Sequence, residues 1–315
     1  MKKILNSVLK KYLPIYKSYE NLKSQFAVWK VGLYPPGHFY SPVVSPQIVS
    51  ESRFNYERPP LGIALNEERQ LALLESLKIF YRADIFPTTQ SSAYRYYFDN
   101  EYFSFSDGIF LYLVIRHFKP RKIIEIGSGF SSALMLDTNE KFFHNSIHLT
   151  FVEPYPELRL NKLITQEEQI FVKKDFVQHI SSSVFQELSE GDILFVDSSH
   201  ISKFGSDLNY LLFEILPLLK AGVIIHFHDI FYPFEYPTEW LKQGRSWNEA
   251  YLLKAFLQFN DSFEILLFTS FLEKTYKQWF EVNMPQCLTK HERIRLGDQE
   301  QLMSTTGQSI YLVKK

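Results

Sequence analysis

From residue 119 onward the apolar residues come in short runs rich in β-branched and aromatic side chains: KIIEIG, HLTFVEP, IFVKKD, DILFVD, VIIHFHDI, FEILLFTS and SIYLVKK. Continuous apolar runs of this length mark strands buried on both faces. The segments between them, at about 131–141, 156–166, 178–188, 206–220 and 247–260, repeat their apolar positions with the period of a helix. Strand and helix in alternation predict an α/β fold, a doubly wound and mostly parallel seven-stranded sheet covered on both faces. Upstream the pattern is helical. Residues 66–82 (NEERQLALLESLKIFYR) and the apolar run GIFLYLVIRHF read as helices, with Ser106 placed as the N-cap of the second. Ile4, Leu5, Val8, Leu9, Tyr12 and Leu13 form a helical stripe that Pro14 interrupts. PPGHFYSP, residues 35–42, holds prolines and a glycine that exclude regular helix and predict an ordered loop or lid. The expected organisation is therefore an N-terminal helical and loop extension, 1–104, followed by the main domain, 105–315. There is no internal repeat and no low-complexity segment.

Composition narrows the function. Hydrophobic residues make up 45% of the chain and aromatics 17%, enough for a substantial core. Basic and acidic residues number 34 and 35, so no global field draws a polyanion, and nucleic acid is not expected as substrate. Cys287 is the lone cysteine, which excludes an intrachain disulfide and a thiolate zinc site and predicts a reducing, cytoplasmic location. No apolar run is long enough to span a bilayer. Residues 1–30 carry seven lysines and one acid, but Asn6, Ser7, Lys10 and Lys11 break the apolar stretch a secretory signal needs. Packing on its own domain or on a second copy, giving a homo-oligomer through the extension, is favoured over membrane attachment.

The chemistry-bearing residues fall at strand ends, where open α/β sheets bind their ligands. After the first strand, Glu125-Ile126-Gly127-Ser128-Gly129 forms a turn into a helix, with glycines that let a ligand approach the backbone and unpaired N–H groups to meet it. Such a turn is also a generic βα connection, or a dinucleotide fingerprint whose third glycine is replaced by Ser132. Glu153 ends the second strand, placed to accept hydrogen bonds from ribose hydroxyls. Asp175 and Phe176 end the third, suited to an adenine amino group and ring, or to an ordinary exposed loop. The fourth strand delivers Asp197, Ser198, Ser199 and His200, and the fifth His226, His228 and Asp229. Strand alternation puts His226 and His228 on one face. Asp197 with His228 or Asp229 could hold a hard divalent ion such as Mg²⁺. Tyr40 in the 35–42 loop and Tyr232, Arg245 and Trp247 in the aromatic stretch 231–247 are the expected acceptor walls, against a reading of ordinary surface packing.

The run from Glu125 through Asp229 resembles the class I S-adenosylmethionine-dependent methyltransferases, especially a bacterial branch similar to sugar and macrolide O-methyltransferases. The resemblance covers about two thirds of the chain and implies a Rossmann-like methyltransferase fold closed by a final antiparallel strand, fitting FEILLFTS and SIYLVKK. It implies that Glu125, Gly127, Ser128 and Gly129 contact the methionine part of the cofactor, Glu153 the ribose, and Asp175 with Phe176 the adenine. It further implies Asp197, His228 and Asp229 as metal ligands in metal-assisted members. Ser131 departs from the family, standing where many members have a third glycine. The expected activity is methyl transfer to a small-molecule hydroxyl of sugar or polyketide type, with Asp197, His200 and His228 as catalytic residues and His200 as general base. Two other readings stay open: an NAD-dependent oxidoreductase, against which the missing third glycine counts, and a non-catalytic binding module on the same fold. Nucleic-acid methylation is weakened by the charge balance.

Overall fold

The computed structural model describes residues 32–51, 58–289, 291–296, 299–303 and 307–315 and the isolated positions 18 and 22. The lysine-rich helix expected at the amino end lies outside the described residues. Two compact units are distinguished, Met1–Asn55 with Pro237–Ser246, and Tyr56–Tyr236 with Trp247–Lys315. In the smaller unit the PPGHFYSP segment is a loop, as expected. Gly37 takes a φ of +83° that a side chain would resist, and donates its N–H to the Val43 carbonyl at 2.8 Å. Two short helices, Pro46–Glu51 and Thr238–Lys242, complete it.

The larger unit is built on seven strands, β1 (Lys122–Ile126), β2 (His148–Val152), β3 (Val172–Lys173), β4 (Ile193–Val196), β5 (Ile224–Phe227), β6 (Phe263–Phe268) and β9 (Ile310–Lys314). They lie in the order β3-β2-β1-β4-β5-β9-β6. The first five run parallel, and β9 inserts antiparallel between β5 and β6. Every residue of β4 and β5 is buried, which is why both read as unbroken apolar runs. A separate hairpin of β7 (His291–Leu296) and β8 (Gln299–Met303) precedes β9, and the apolar pattern did not announce it.

The expected helices form with shifted ends. Helix α1 (Glu67–Lys78) follows Asn66, and α2 (Phe105–Phe118) starts one residue before the expected cap. Its N-cap is Ser104, whose hydroxyl accepts the Phe105 N–H at 2.6 Å, whereas Ser106 sits inside the first turn and donates to Glu273. Ser106 is thus corrected from cap to buried tether. Helix α3 (Phe130–Phe143) follows β1, and α4 (Glu249–Leu257) precedes β6. The helix expected over 156–166 is only a 3₁₀ turn, Leu160–Lys162, followed from Glu167 by a second. Residues 207–218 do wind as a helix, but change from α to π to 3₁₀ geometry on the way. Among the described residues no helix is long and apolar enough to cross a membrane.

Candidate active site

Sheet register puts the functional residues on one level. Ile126 is paired with both Val152 and Val196, and Val196 with Phe227, so Gly127, Glu153, Asp197 and His228 each follow directly after an aligned strand end. The backbone ladder runs one step further, with Gly127 N–H to Val152 O at 3.0 Å, Asp197 N–H to Ile126 O at 2.9 Å and His228 N–H to Val196 O at 3.0 Å. The four side chains leave the sheet from a rigid rim. Gly127 has φ +79°, and a β-carbon there would stand 1.8 Å from the Asp197 carbonyl oxygen, so only glycine lets the first turn close against the end of β4.

Glu153 organises the turn after β1. One carboxylate oxygen accepts the Ser128 N–H at 3.0 Å and the other the Tyr155 N–H at 2.8 Å, leaving a lone pair on each for a ligand hydroxyl. Ser128 Oγ is buried with no hydrogen-bond partner among the described residues. An orphaned hydroxyl in a glycine-lined cradle fits a bound polar ligand. Glu125 is wholly buried and accepts the Ser132 hydroxyl, while the Gly129 N–H donates to the same hydroxyl at 3.0 Å. Burial pushes the Glu125 carboxyl up to about 8 against the pull of neighbouring serine hydroxyls, of which Ser132 is in hydrogen-bond contact. Its position behind the turn, with one oxygen unpartnered, makes it a brace for the serine cluster rather than a surface contact. Asp175 accepts the Phe176 N–H at 2.7 Å and bonds His179 at 2.7 Å, contacts that hold its carboxyl below the usual range. Phe176 is half exposed and meets Tyr155 edge to face at 5.9 Å, so two exposed rings flank the ends of β2 and β3. Tyr155 was not singled out from the sequence.

At the ends of β4 and β5 the structure gathers more charge than expected. One ligand atom each from Asp197, His200 and Asp229 lies within 4.8 Å of the others. His200 Nε2 faces Asp197 Oδ1 and Asp229 Oδ2, both at 3.4 Å, while its Nδ1 bonds Glu249 Oε2 at 2.7 Å. His228 Nδ1 stands 3.5 Å from Asp197 and 3.6 Å from Asp229, and its Nε2 faces Asp107 at 3.6 Å. Burial disfavours both imidazolium ions, yet the surrounding carboxylates outweigh it and raise both histidines well above their ordinary range. Burial likewise pushes Asp197 up, but His228 and His200 reverse it and keep that carboxyl ionised. His200 and Asp229 hold left-handed backbone at φ +60° and +58°. Such strain at two neighbouring polar residues is typical of functional sites. Asp197 is the most open of the three at 26% side-chain exposure, against 7% for His200 and 11% for Asp229.

The expected pairing of Asp197, His228 and Asp229 is therefore found together, with His200 as the closer nitrogen. Glu249 and Asp107 escaped the sequence reading because each sits in the first turn of a helix, where an acid reads as a complement to the helix dipole. The α4 start is pinned here by Asn248 and Glu249 N–H groups donating to the His200 carbonyl at 3.1 and 3.2 Å. Of the expected acceptor walls, Trp247 joins the cluster, its ring 4.3 Å from that of His200. Tyr232 lies against Phe268 and Phe271, at 5.8 and 5.1 Å. Tyr40 and Arg245 belong to the smaller unit, Tyr40 beside Phe39 at 4.2 Å and Arg245 over the Trp240 ring at 4.2 Å.

Residues 124–230 match a family model described as a methyltransferase domain. An uncharacterized protein of Archaeoglobus fulgidus is 34% identical over 168 residues, which span 51% of this chain and 76% of that protein. Among solved structures, the precorrin-6y C5,15-methyltransferase of Geobacter metallireducens aligns over 74% of this chain and 95% of its own at 11% identity, with a TM-score of 0.38. A Podospora anserina methyltransferase bound to SAH aligns over 79% and 88% at 13% identity, with a TM-score of 0.36. At those scores the two structures carry no weight, and the assignment rests on the matched domain and on the strand order with its inserted antiparallel strand. The segment 124–230 is a methyltransferase domain, set on a seven-stranded α/β sheet.

Proposed function

We propose that the chain transfers a methyl group from S-adenosylmethionine to a hydroxyl of a small polar acceptor of the sugar or polyketide type. The observation that carries this reading is the contact at Gly127: the missing β-carbon brings the cofactor turn against Asp197, a member of the buried His and carboxylate cluster. Cofactor cradle and catalytic cluster are then one site. S-adenosylmethionine supplies an electrophilic methyl group on sulfur when bound. The chain's own residues hold and orient: Glu153 for the ribose hydroxyls, Gly127, Ser128 and Gly129 for the amino-acid part with Glu125 bracing them, and Asp175, Phe176 and Tyr155 for the adenine. Residues 105–315 are proposed as the cofactor-binding domain and 1–104 as an extension.

Two carboxylates and an imidazole at this spacing suit a hard divalent cation, Mg²⁺ or Mn²⁺, so Asp197, His200 and Asp229 would hold one, with His228 beside them. A cation there acidifies an acceptor hydroxyl. Glu249 fixes Nδ1 of His200 and leaves Nε2 toward Asp197 and Asp229; those carboxylates keep the free ring protonated, so Nε2 serves as general base or grips an ion only after that proton leaves. The two uses exclude one another, and cation binding decides between them. Trp247 on the His200 ring and Tyr232 are proposed acceptor contacts. The test is calorimetry with S-adenosylhomocysteine in the presence and absence of Mn²⁺, followed by transfer of labelled methyl to a panel of sugar hydroxyls with wild-type and His200→Ala chains. Binding of S-adenosylhomocysteine, and turnover lost in His200→Ala with that affinity retained, is the expected result. Absence of S-adenosylhomocysteine binding to the wild type would overturn the reading.

A further inference from the structure

Arg159 lies in the loop after β2, six positions beyond Glu153. Its guanidinium carbon is 3.5 Å from the centre of the Tyr102 ring, a close cation–π contact. Among the described residues no carboxylate pairs with it. Its side chain also leans over the cofactor turn: a β-carbon on Gly129 would meet Arg159 Cδ at 2.8 Å and Nη1 at 3.3 Å. Tyr102 in turn stacks on Phe130, the first residue of α3, with centroids 6.3 Å apart and planes 19° from parallel. The cation is therefore held on an aromatic platform fixed to the same turn that carries Gly127, Ser128 and Gly129.

An arginine kept at a ligand site without an anion is prepared for one, since its planar fork matches a carboxylate in two hydrogen bonds. On the cofactor reading, Glu153 is engaged at the ribose. The cofactor carries one carboxylate, on the amino-acid part that the glycine turn receives. We infer that Arg159, seated on Tyr102, binds the α-carboxylate of the cofactor and so selects adenosyl compounds that carry the amino-acid tail. This rests on the proposed cofactor reading. The ring leaves the guanidinium edge free for the carboxylate, and the methylenes cover Gly129, so closing the turn and gripping the tail are one movement of a single side chain.

The test compares S-adenosylhomocysteine with 5′-methylthioadenosine, which has the same adenosyl thioether but no amino-acid tail. Affinities are measured by calorimetry on wild type, Arg159→Met and Arg159→Lys, the methionine keeping an apolar stem over Gly129. A charge-assisted pair predicts that Arg159→Met weakens S-adenosylhomocysteine about 10- to 100-fold while leaving 5′-methylthioadenosine within about twofold, and that Arg159→Lys recovers part of the loss. Unchanged affinity for S-adenosylhomocysteine in Arg159→Met, or an equal loss for both compounds, overturns the inference and leaves the cofactor reading standing. A wild type that binds neither compound overturns both.

Discussion

Replacing Glu273 with glutamine should flatten the dependence of stability on pH. Glu273 sits in the helix Thr269–Thr275 at 2% exposure, accepting the Ser106 hydroxyl and, at 2.6 Å, the Gly307 N–H. Burial pushes its carboxyl from 4.5 to about 8, against those two hydrogen bonds. The folded chain then keeps a proton that the unfolded chain releases above about 4.5. Stability from this group is full below that pH and is lost as pH rises through 8. A gap of roughly 3.5 pH units at 1.36 kcal/mol each amounts to on the order of 5 kcal/mol, of which roughly half falls between pH 5.5 and 7.5. A glutamine keeps the shape, accepts from Gly307 and donates to the Ser106 hydroxyl, and does not titrate. Urea unfolding followed by tryptophan fluorescence at several pH values gives the slope for each chain. Other groups contribute to the wild-type slope, so the difference between the two chains is the quantity of interest. Wild type should lose a few kcal/mol, on the order of 2–3, more than Glu273→Gln over that interval. Parallel slopes would mean that Glu273 is ionised in the folded chain, and the burial argument would fail.

Gly127→Ala should weaken S-adenosylhomocysteine by more than about tenfold and lower stability by at least ~2 kcal/mol, because the added carbon meets the Asp197 carbonyl at 1.8 Å in a left-handed turn. Unchanged binding by calorimetry would show that the turn is not the cradle. A chain truncated to 105–315 should lose its cooperative urea transition where 58–315 keeps it. The truncation removes Arg95 and Tyr96, whose groups satisfy the fully buried Asp137 at 2.8 to 2.9 Å, and an unpaired buried charge costs about 3–5 kcal/mol. Equal midpoints for the two chains would refute this.

The sheet was legible because the central parallel strands are buried and largely apolar, with Glu125 and His226 as exceptions, and that pattern survives without any knowledge of the partners. Residues one step beyond those runs, Gly127, Glu153, Asp197 and His228, were legible for the same reason: register aligns the ends, so the first polar residue after each run falls on the rim. What escaped depended on contacts distant in sequence. Glu249 is defined by His200, Asp107 by His228 and Ser309, and Ser106 by Glu273, none of which any local period encodes. The helix over 156–166 gives way to a 3₁₀ turn at Leu160–Lys162, although its apolar spacing fitted a helix.

Two histidines on one strand show how depth in the sheet sets chemistry. Alternation places His226 and His228 on the same face, and their rings are indeed 6.0 Å apart and 24° from parallel. His226 lies within the paired rows, opposite Phe195, whose ring is 3.9 Å away, and it bonds Ser309 at 2.9 Å. Burial there drives its basicity far down, and it is a neutral part of the core. Two residues on, about 6.6 Å along the strand, His228 has passed the last paired row and meets Asp197, Asp229 and Asp107, which hold it charged. The cluster therefore rests on a fully buried, uncharged floor. With His200 covered by Trp247 and Asp197 the more open carboxylate, the proposed function has an acceptor reach the cluster from the Asp197 side, where the Gly127 turn also lies.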